Sequence, residues 1–247
     1  MTREATQENS HIVPRFMGVT ILENPDGKRK GFKIDNDPNF LKQRPQQDTP
    51  KENYILCSEC ESRLGEFERK LANEFYYKFK KPEYEKDFSR IFIPNGILKA
   101  SNKNVDYTNF KLATYGIFFK VAISSLTYFR DSRITKEQLE TLRQLLNNER
   151  AFEDISIVLL TSESDQEFTK NYIYAHSYDD HLAHFVWAND YIFFIDFGTT
   201  VDLIKHFDEI EMKNDRVFKI GVLPNQAWDN LRKTLMGIKV GKIKTSR

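Results

Sequence analysis

The spacing of apolar residues changes along this chain, and each change marks a different kind of element. From Cys57 onward, Cys60, Leu64, Phe67, Leu71, Phe75 and Phe79 recur every three or four positions, which predicts a long amphipathic helix with Glu61 on its first turn. Pro82 ends it, because proline removes a backbone donor and clashes with the preceding turn. Ile91 to Gly96 then reads as a short strand closing in a turn. Val105 to Phe129 carries few charges and predicts a helix buried on most sides. Thr135 followed by Gln138 forms a capping box ahead of Leu139, Leu142, Leu145 and Leu146, a second amphipathic helix.

Past Arg150 the helical period is lost. Ile155–Leu160, Tyr172–Ala175, Leu182–Ala188, Tyr191–Phe197 and Val217–Val222 are short β-branched or aromatic runs, and Ala188-Asn189-Asp190 predicts a tight hairpin turn. These runs imply a mainly antiparallel sheet. Ala227 to Met236 closes the pattern as a short helix offering Trp228, Leu231 and Leu235 to that sheet. Near the other end, Asn24-Pro25-Asp26-Gly27 is a turn signal, and the polar stretch to Pro50 reads as a hairpin and then a long exposed loop.

Composition narrows the function classes. With 247 residues, 40% hydrophobic and 30% charged, the chain can bury a substantial core without staples. The 37 basic and 36 acidic residues leave a formal net charge of +1, so any nucleic-acid surface must be local. Lys28, Arg29, Lys30, Lys33, Lys42 and Arg44 are one such set, although solvated loop charge is the commoner explanation for them; Lys239, Lys242, Lys244 and Arg247 read as a solvated tail. The two cysteines share a single Cys-x-x-Cys turn, which excludes a disulfide framework of the secreted kind. Together with a polar start from Met1 to Asn9 and no membrane-length apolar run, this leads us to expect a cytoplasmic protein with no membrane partner. Nothing resembles a nucleophile elbow, and the ten scattered glycines form no phosphate-cradling loop.

The candidate chemistry lies in the first third. Ser10-His11-Ile12-Val13-Pro14 puts a histidine on a short extended segment; downstream come Asn53, the apolar Tyr54-Ile55-Leu56, then Cys57-Ser58-Glu59-Cys60 and Glu61 at a helix start. Residues 10 to 80 resemble the HNH, or His-Me finger (ββα-metal), nucleases, whose hallmark is Asp-His-Ile-x-Pro followed by an Asn, an apolar strand ending in Cys-x-x-Cys, and an Asn or His. The likeness is nearest to a degenerate bacterial subgroup with Ser-His-Ile-x-Pro and Leu-Cys-x-x-Cys-Glu segments. It implies an α+β fold with an HNH-like ββα finger over residues 1–82, then a helical segment and antiparallel-sheet domain over 83–247.

The same resemblance implies His11 and Asn53 as the catalytic pair, and Cys57, Cys60 and Glu61 as ligands for Mg²⁺ or Mn²⁺, or for Zn²⁺ at an incomplete site. The activity it implies is phosphodiester hydrolysis on nucleic acid, DNA ahead of RNA, in the setting of bacterial antiviral defence or mobile elements. Three departures stand out. Ser10 replaces a carboxylate, no Cys-x-x-Cys precedes His11, and Glu61 replaces Asn or His. A second expectation is therefore a catalytically inactive finger acting as a protein-binding or adaptor module, with a partner held by the C-terminal domain.

Each residue also has a plainer reading. His11 can be a strand-end histidine, Asn53 a turn residue, Cys57 and Cys60 buried thiols, and Glu61 an acid favoured by the helix dipole. His181 and His184, with His176, Asp179 and Asp180, form a second metal candidate, although on a strand the two would face opposite ways. A pocket lined by Tyr172, Tyr174, Trp187, Tyr191 and Phe193 would suit a small-molecule sensor, although such aromatics are more often plain core.

Overall fold

A computed structural model describes residues 4–22, 31–33, 44–46, 48–94, 96–126, 129–132, 134–152, 154–163, 173–178, 183–198, 207–212 and 216–244. In chain order these form β1 (Ser10–His11), α1 (Arg15–Leu22), β2 (Gly31–Lys33), β3 (Arg44–Gln46), β4 (Lys51–Glu52), α2 (Ser58–Leu71), β5 (Ser89–Phe92), β6 (Leu98–Asn102), α3 (Tyr107–Ile123) and α4 (Lys136–Asn147). Then follow β7 (Ser156–Ser162), β8 (Ile173–Tyr178), β9 (Ala183–Ala188), β10 (Tyr191–Asp196), β11 (Phe218–Leu223) and α5 (Asn225–Lys244). The fold is α+β, with helices packed on a large mixed sheet.

That sheet has seven strands in the order β5-β6-β11-β7-β10-β9-β8. Its pairs are antiparallel except β11 with β7, which are parallel over Gly221↔Leu160 to Leu223↔Ser162. The strands read as continuous apolar runs because both faces are covered. Ile157, Leu159, Phe193, Ile195 and Ile220 join a core with α2, α3 and α4. Val158, Leu160, Ile192, Phe194 and Trp187 face a second core with Ile210, Trp228 and Leu235. Trp187 and Trp228 meet edge to face at 5.7 Å, so the final helix docks on the sheet as its sequence implied. It also runs to Lys244, which puts Lys239, Lys242 and Lys244 in the helix rather than in a tail.

The first core passes from Ile12 and Val13 through Leu64, Phe67 and Phe75 to Phe110 and Phe218, so residues on both sides of position 82 share it. The expected long helix changes character partway along. α2 gives way at Ala72–Tyr76 to a π turn, with Tyr77 N–H donating to the Ala72 carbonyl at 2.9 Å. The wider turn brings the consecutive rings of Phe75 and Tyr76 both within reach of Tyr191, at 5.4 and 5.2 Å. A 3₁₀ segment then starts at Pro82.

α3 stops at Ile123, short of its expected end. Ser124 Oγ donates to Glu52 Oε2 at 2.6 Å and Ser125 Oγ to Glu52 Oε1 at 2.5 Å, so the serines turn to β4 instead of extending the helix. The α4 capping box forms as read: Gln138 N–H donates to Thr135 Oγ1 at 3.2 Å, and Thr135 N–H to Gln138 Oε1 at 2.8 Å. The β9–β10 hairpin turns on Asn189 in the left-handed region, φ 58°. β2 and β3 pair within the stretch read as hairpin and loop. The Asn24–Gly27 turn, Lys28, Arg29, Lys30, Lys42, Tyr172, Asp179, Asp180, His181 and Arg247 lie outside the described residues.

Gly221 sits where β11 is pressed between layers: a Cβ there would lie 2.4 Å from Ile210 Cδ1 and 2.9 Å from Leu160 Cδ2. Overpacking of this kind costs about 1–3 kcal/mol. Gly221→Ala is therefore expected to lower the urea unfolding midpoint at unchanged slope, and an unchanged midpoint would show that the second core yields there.

Candidate functional site

The site is built where β1, β4, the start of α2 and the end of α3 meet. β1 pairs antiparallel with β4 through Ser10↔Glu52 and His11↔Lys51. Ile12 N–H donates to the Pro50 carbonyl, Gln7 N–H to that of Leu56, and Tyr54 N–H to that of Gln7, fastening the histidine segment along the approach to α2. Side chains alternate along a strand, so Ser10 points inward and is fully buried, whereas His11 keeps about a quarter of its side chain exposed.

Asp48, just outside β4, faces that imidazole. His11 Nε2 is 3.4 Å from each Asp48 carboxylate oxygen. A carboxylate only accepts, so Nε2 carries the proton toward Asp48 and the lone pair is left on Nδ1. Lys51 Nζ bonds Asp48 Oδ2 at 2.7 Å and Thr49 N–H bonds Oδ1 at 2.9 Å. Burial pushes the Asp48 carboxyl up, but the Lys51 ammonium, the Thr49 amide and His11 together hold it below its ordinary value. For His11, burial is the largest influence and, helped by Lys51 and Lys120, lowers its pKa; Asp48 opposes this without reversing it. The ring is thus neutral at neutral pH, a poised proton acceptor.

α2 and α3 run antiparallel. Asn109 donates to the Phe67 carbonyl, Asp106 N–H donates to Glu74, and Gly116 lies under Leu64. Lys120 lies one turn beyond Gly116, and its ammonium, 1% exposed, meets Glu68 at 2.5 Å. Burial raises the Glu68 pKa, and neighbouring Glu61 adds to the rise against Lys120. Glu61 and Glu68, two turns apart on α2, interact with each other, and Glu68 alone pairs with the buried ammonium. The Glu61 Oε2 atom is buried with no hydrogen-bond partner among the described residues, and the same holds for Ser10 Oγ.

The remaining residues singled out in the sequence divide into pairs. Asn53 Oδ1 accepts the Asn9 N–H at 2.8 Å, where Asn9 has φ 57°, so it braces the backbone leading into β1. Cys57 is the α2 N-cap, its sulfur accepting Cys60 N–H at 3.3 Å, with the two Sγ atoms 3.0 Å apart and not joined as a disulfide. Among the described residues, no three His, Cys, Asp or Glu side chains gather in a way that could hold a metal ion.

The donors fit neither metal well. Around a tetrahedral zinc with bonds of about 2.3 Å, two sulfurs stand roughly 3.8 Å apart, and two further ligands are required. For a hard cation, Glu61 offers a suitable oxygen, but the Asp48 charge is already matched by Lys51, and Ser10 is turned into the core.

Of the second histidine candidate, His176 and His184 lie among the described residues. His184, fully buried, accepts from Ser177 Oγ at Nδ1 (2.6 Å) and donates from Nε2 to Gln138 Oε1 (3.1 Å), tying β9 to the α4 cap. His176 stacks on Tyr174 across the sheet from it. The aromatic-pocket residues divide likewise, Tyr174 and Trp187 in one core and Tyr191 and Phe193 in the other.

Asp48 and Lys120 were missed in the sequence. An Asp-Thr-Pro run just before the strand paired with His11 is the only local cue to Asp48, and a lysine within a buried-looking helix the only cue to Lys120. Among the described residues no helix is long and apolar enough to cross a membrane. Compared with protein families, with curated proteins and with solved structures, the chain matches none.

Proposed function

We propose that this protein is an HNH-type hydrolase acting on the phosphodiester backbone of nucleic acid, with His11 as the general base and Asp48 as the residue that orients it. The observation that carries the reading is the partly exposed imidazole, backed by a carboxylate and with its pKa lowered by burial, on a strand pair that leads into a helix bearing Glu61. In this reading His11 Nδ1 takes the proton of the attacking water, and Asp48 stabilises the imidazolium that results. Lys51, a third exposed beside them, adds positive potential where a phosphate would approach. Mg²⁺ or Mn²⁺ belongs to this proposal through the family resemblance, with Glu61 the described oxygen most suited to it. Since the described donors do not complete a site, no step is drawn through a cation. DNA is the first substrate class to test.

The pH–rate profile on plasmid DNA, with Mg²⁺ or Mn²⁺ supplied, tests the proposal. A base must be neutral to act, so the acid limb should fall below the ordinary imidazole value of about 6.5. Asp48→Asn removes the one influence that raises the His11 pKa, so its limb should move to lower pH while the plateau rate drops. Lys51→Met should move the limb the opposite way. A limb that ignores both substitutions would remove His11 from the chemistry.

A second reading, in which the finger is a scaffold and the C-terminal part binds a protein, is favoured by one feature. β5 is an edge strand with Ile91 51% and Phe92 78% exposed. On that reading Phe92→Asp abolishes partner binding and His11→Ala changes nothing.

A further inference from the structure

The cysteine pair does not look like half of a zinc site. Its sulfurs lie 3.0 Å apart, closer than two zinc-bound thiolates, and among the described residues no group of three His, Cys, Asp or Glu side chains could hold a metal ion. We propose that Cys57 and Cys60 form a reversible dithiol–disulfide couple at the start of α2, driven by a small-molecule disulfide such as oxidised glutathione. This inference is independent of the catalytic reading.

Three features point to it. The two Sγ atoms already lie 3.0 Å apart across the first helical turn, so side-chain rotation with a small backbone shift closes them to the roughly 2.05 Å of a disulfide. Cys57, 9% exposed, is held in place as the N-cap, its sulfur accepting Cys60 N–H, and so sits ready to resolve an adduct. Cys60 is exposed and reachable from solvent.

The chemistry balances in two exchanges. The Cys60 sulfur attacks one sulfur of the oxidant, whose S–S bond breaks; one thiol leaves with the proton that Cys60 gave up. The Cys57 sulfur then attacks Cys60 in the mixed disulfide and expels the second thiol, which takes the Cys57 proton. Two electrons pass from the protein pair to the oxidant, and excess thiol reverses both steps.

Intact-protein mass spectrometry of the full chain, equilibrated in buffers of graded reduced to oxidised glutathione, tests the proposal. The wild type should lose two hydrogens, become resistant to alkylation at both cysteines, and recover with dithiothreitol. Cys57→Ser keeps a good N-cap, so the helix start survives; lacking the resolving sulfur, this variant should carry glutathione on Cys60 at roughly ten times the wild-type level. Three results would each overturn the couple. They are a persistent glutathione adduct on wild-type Cys60, both thiols still alkylated in the most oxidising buffer, or a co-purified metal that shields both thiols until a chelator is added.

Discussion

Replacing His11 with alanine should lower DNA cleavage by roughly a hundredfold to ten-thousandfold, the usual contribution of a positioned general base. Fold stability should change little, because the ring is partly exposed and its hydrogen bond among the described residues is to Asp48 alone. The comparison is made at saturating Mg²⁺ or Mn²⁺ with near-ultraviolet circular dichroism matched to wild type, so that a folding defect cannot imitate a chemical one. Asn53→Ala separates two roles. Its amide braces Asn9 rather than the imidazole, so a fall in activity should come with a looser N-terminal segment, seen as faster amide exchange at Asn9, and with an unmoved pH limb. Equal cleavage by His11→Ala and wild type would leave the scaffold reading.

The second large effect is on stability. Lys120 is almost wholly buried, and its ammonium is the partner of Glu68, whose carboxylate lies near Glu61. Lys120→Met leaves that carboxylate buried and unpaired, which costs about 3–5 kcal/mol. The sign with pH follows from the raised Glu68 pKa. A carboxyl that holds its proton more tightly when folded favours the native state in acid, and that advantage fades as pH rises from the unfolded pKa through the folded one. Urea unfolding of Lys120→Met should therefore show a greater loss in mildly alkaline than in mildly acidic buffer. Lys120→Met with Glu68→Gln removes both charges at similar volume and should recover most of the loss. If the double variant is no better than the single one, the packing of the lysine stem, and not its charge, is what matters there.

Much of the fold was legible because local rules sufficed. The period of Leu64, Phe67 and Leu71, the reciprocal Thr135–Gln138 cap and the Asn189 turn each follow from neighbours in the chain, and each forms as read. What depends on distant partners was not legible. The π turn answers to Tyr191, the early end of α3 to Glu52, and the parallel β11–β7 pair to how the sheet is threaded. The site behaved in the same way. His11 and the cysteine pair announce themselves by spacing, whereas Asp48 is thirty-seven residues from His11 in sequence and its role appears only when β1 lies against β4. Spacing also invited a single cluster from His11 to Glu61. Among the described residues the chain instead presents a His11–Asp48–Lys51 group, a Cys57–Cys60 dithiol and a Lys120–Glu68 pair that feels Glu61.

The account rests on the His11 imidazole being neutral because it is partly buried, and tethered to Asp48. Proton NMR titration of the ring, assigned by the signal missing in His11→Gln, measures that directly. The account predicts a midpoint below about 6.5 in the wild type and lower still in Asp48→Asn. A midpoint at or above the ordinary value, unchanged by Asp48→Asn, would mean the ring is solvated and untethered, and would contradict it.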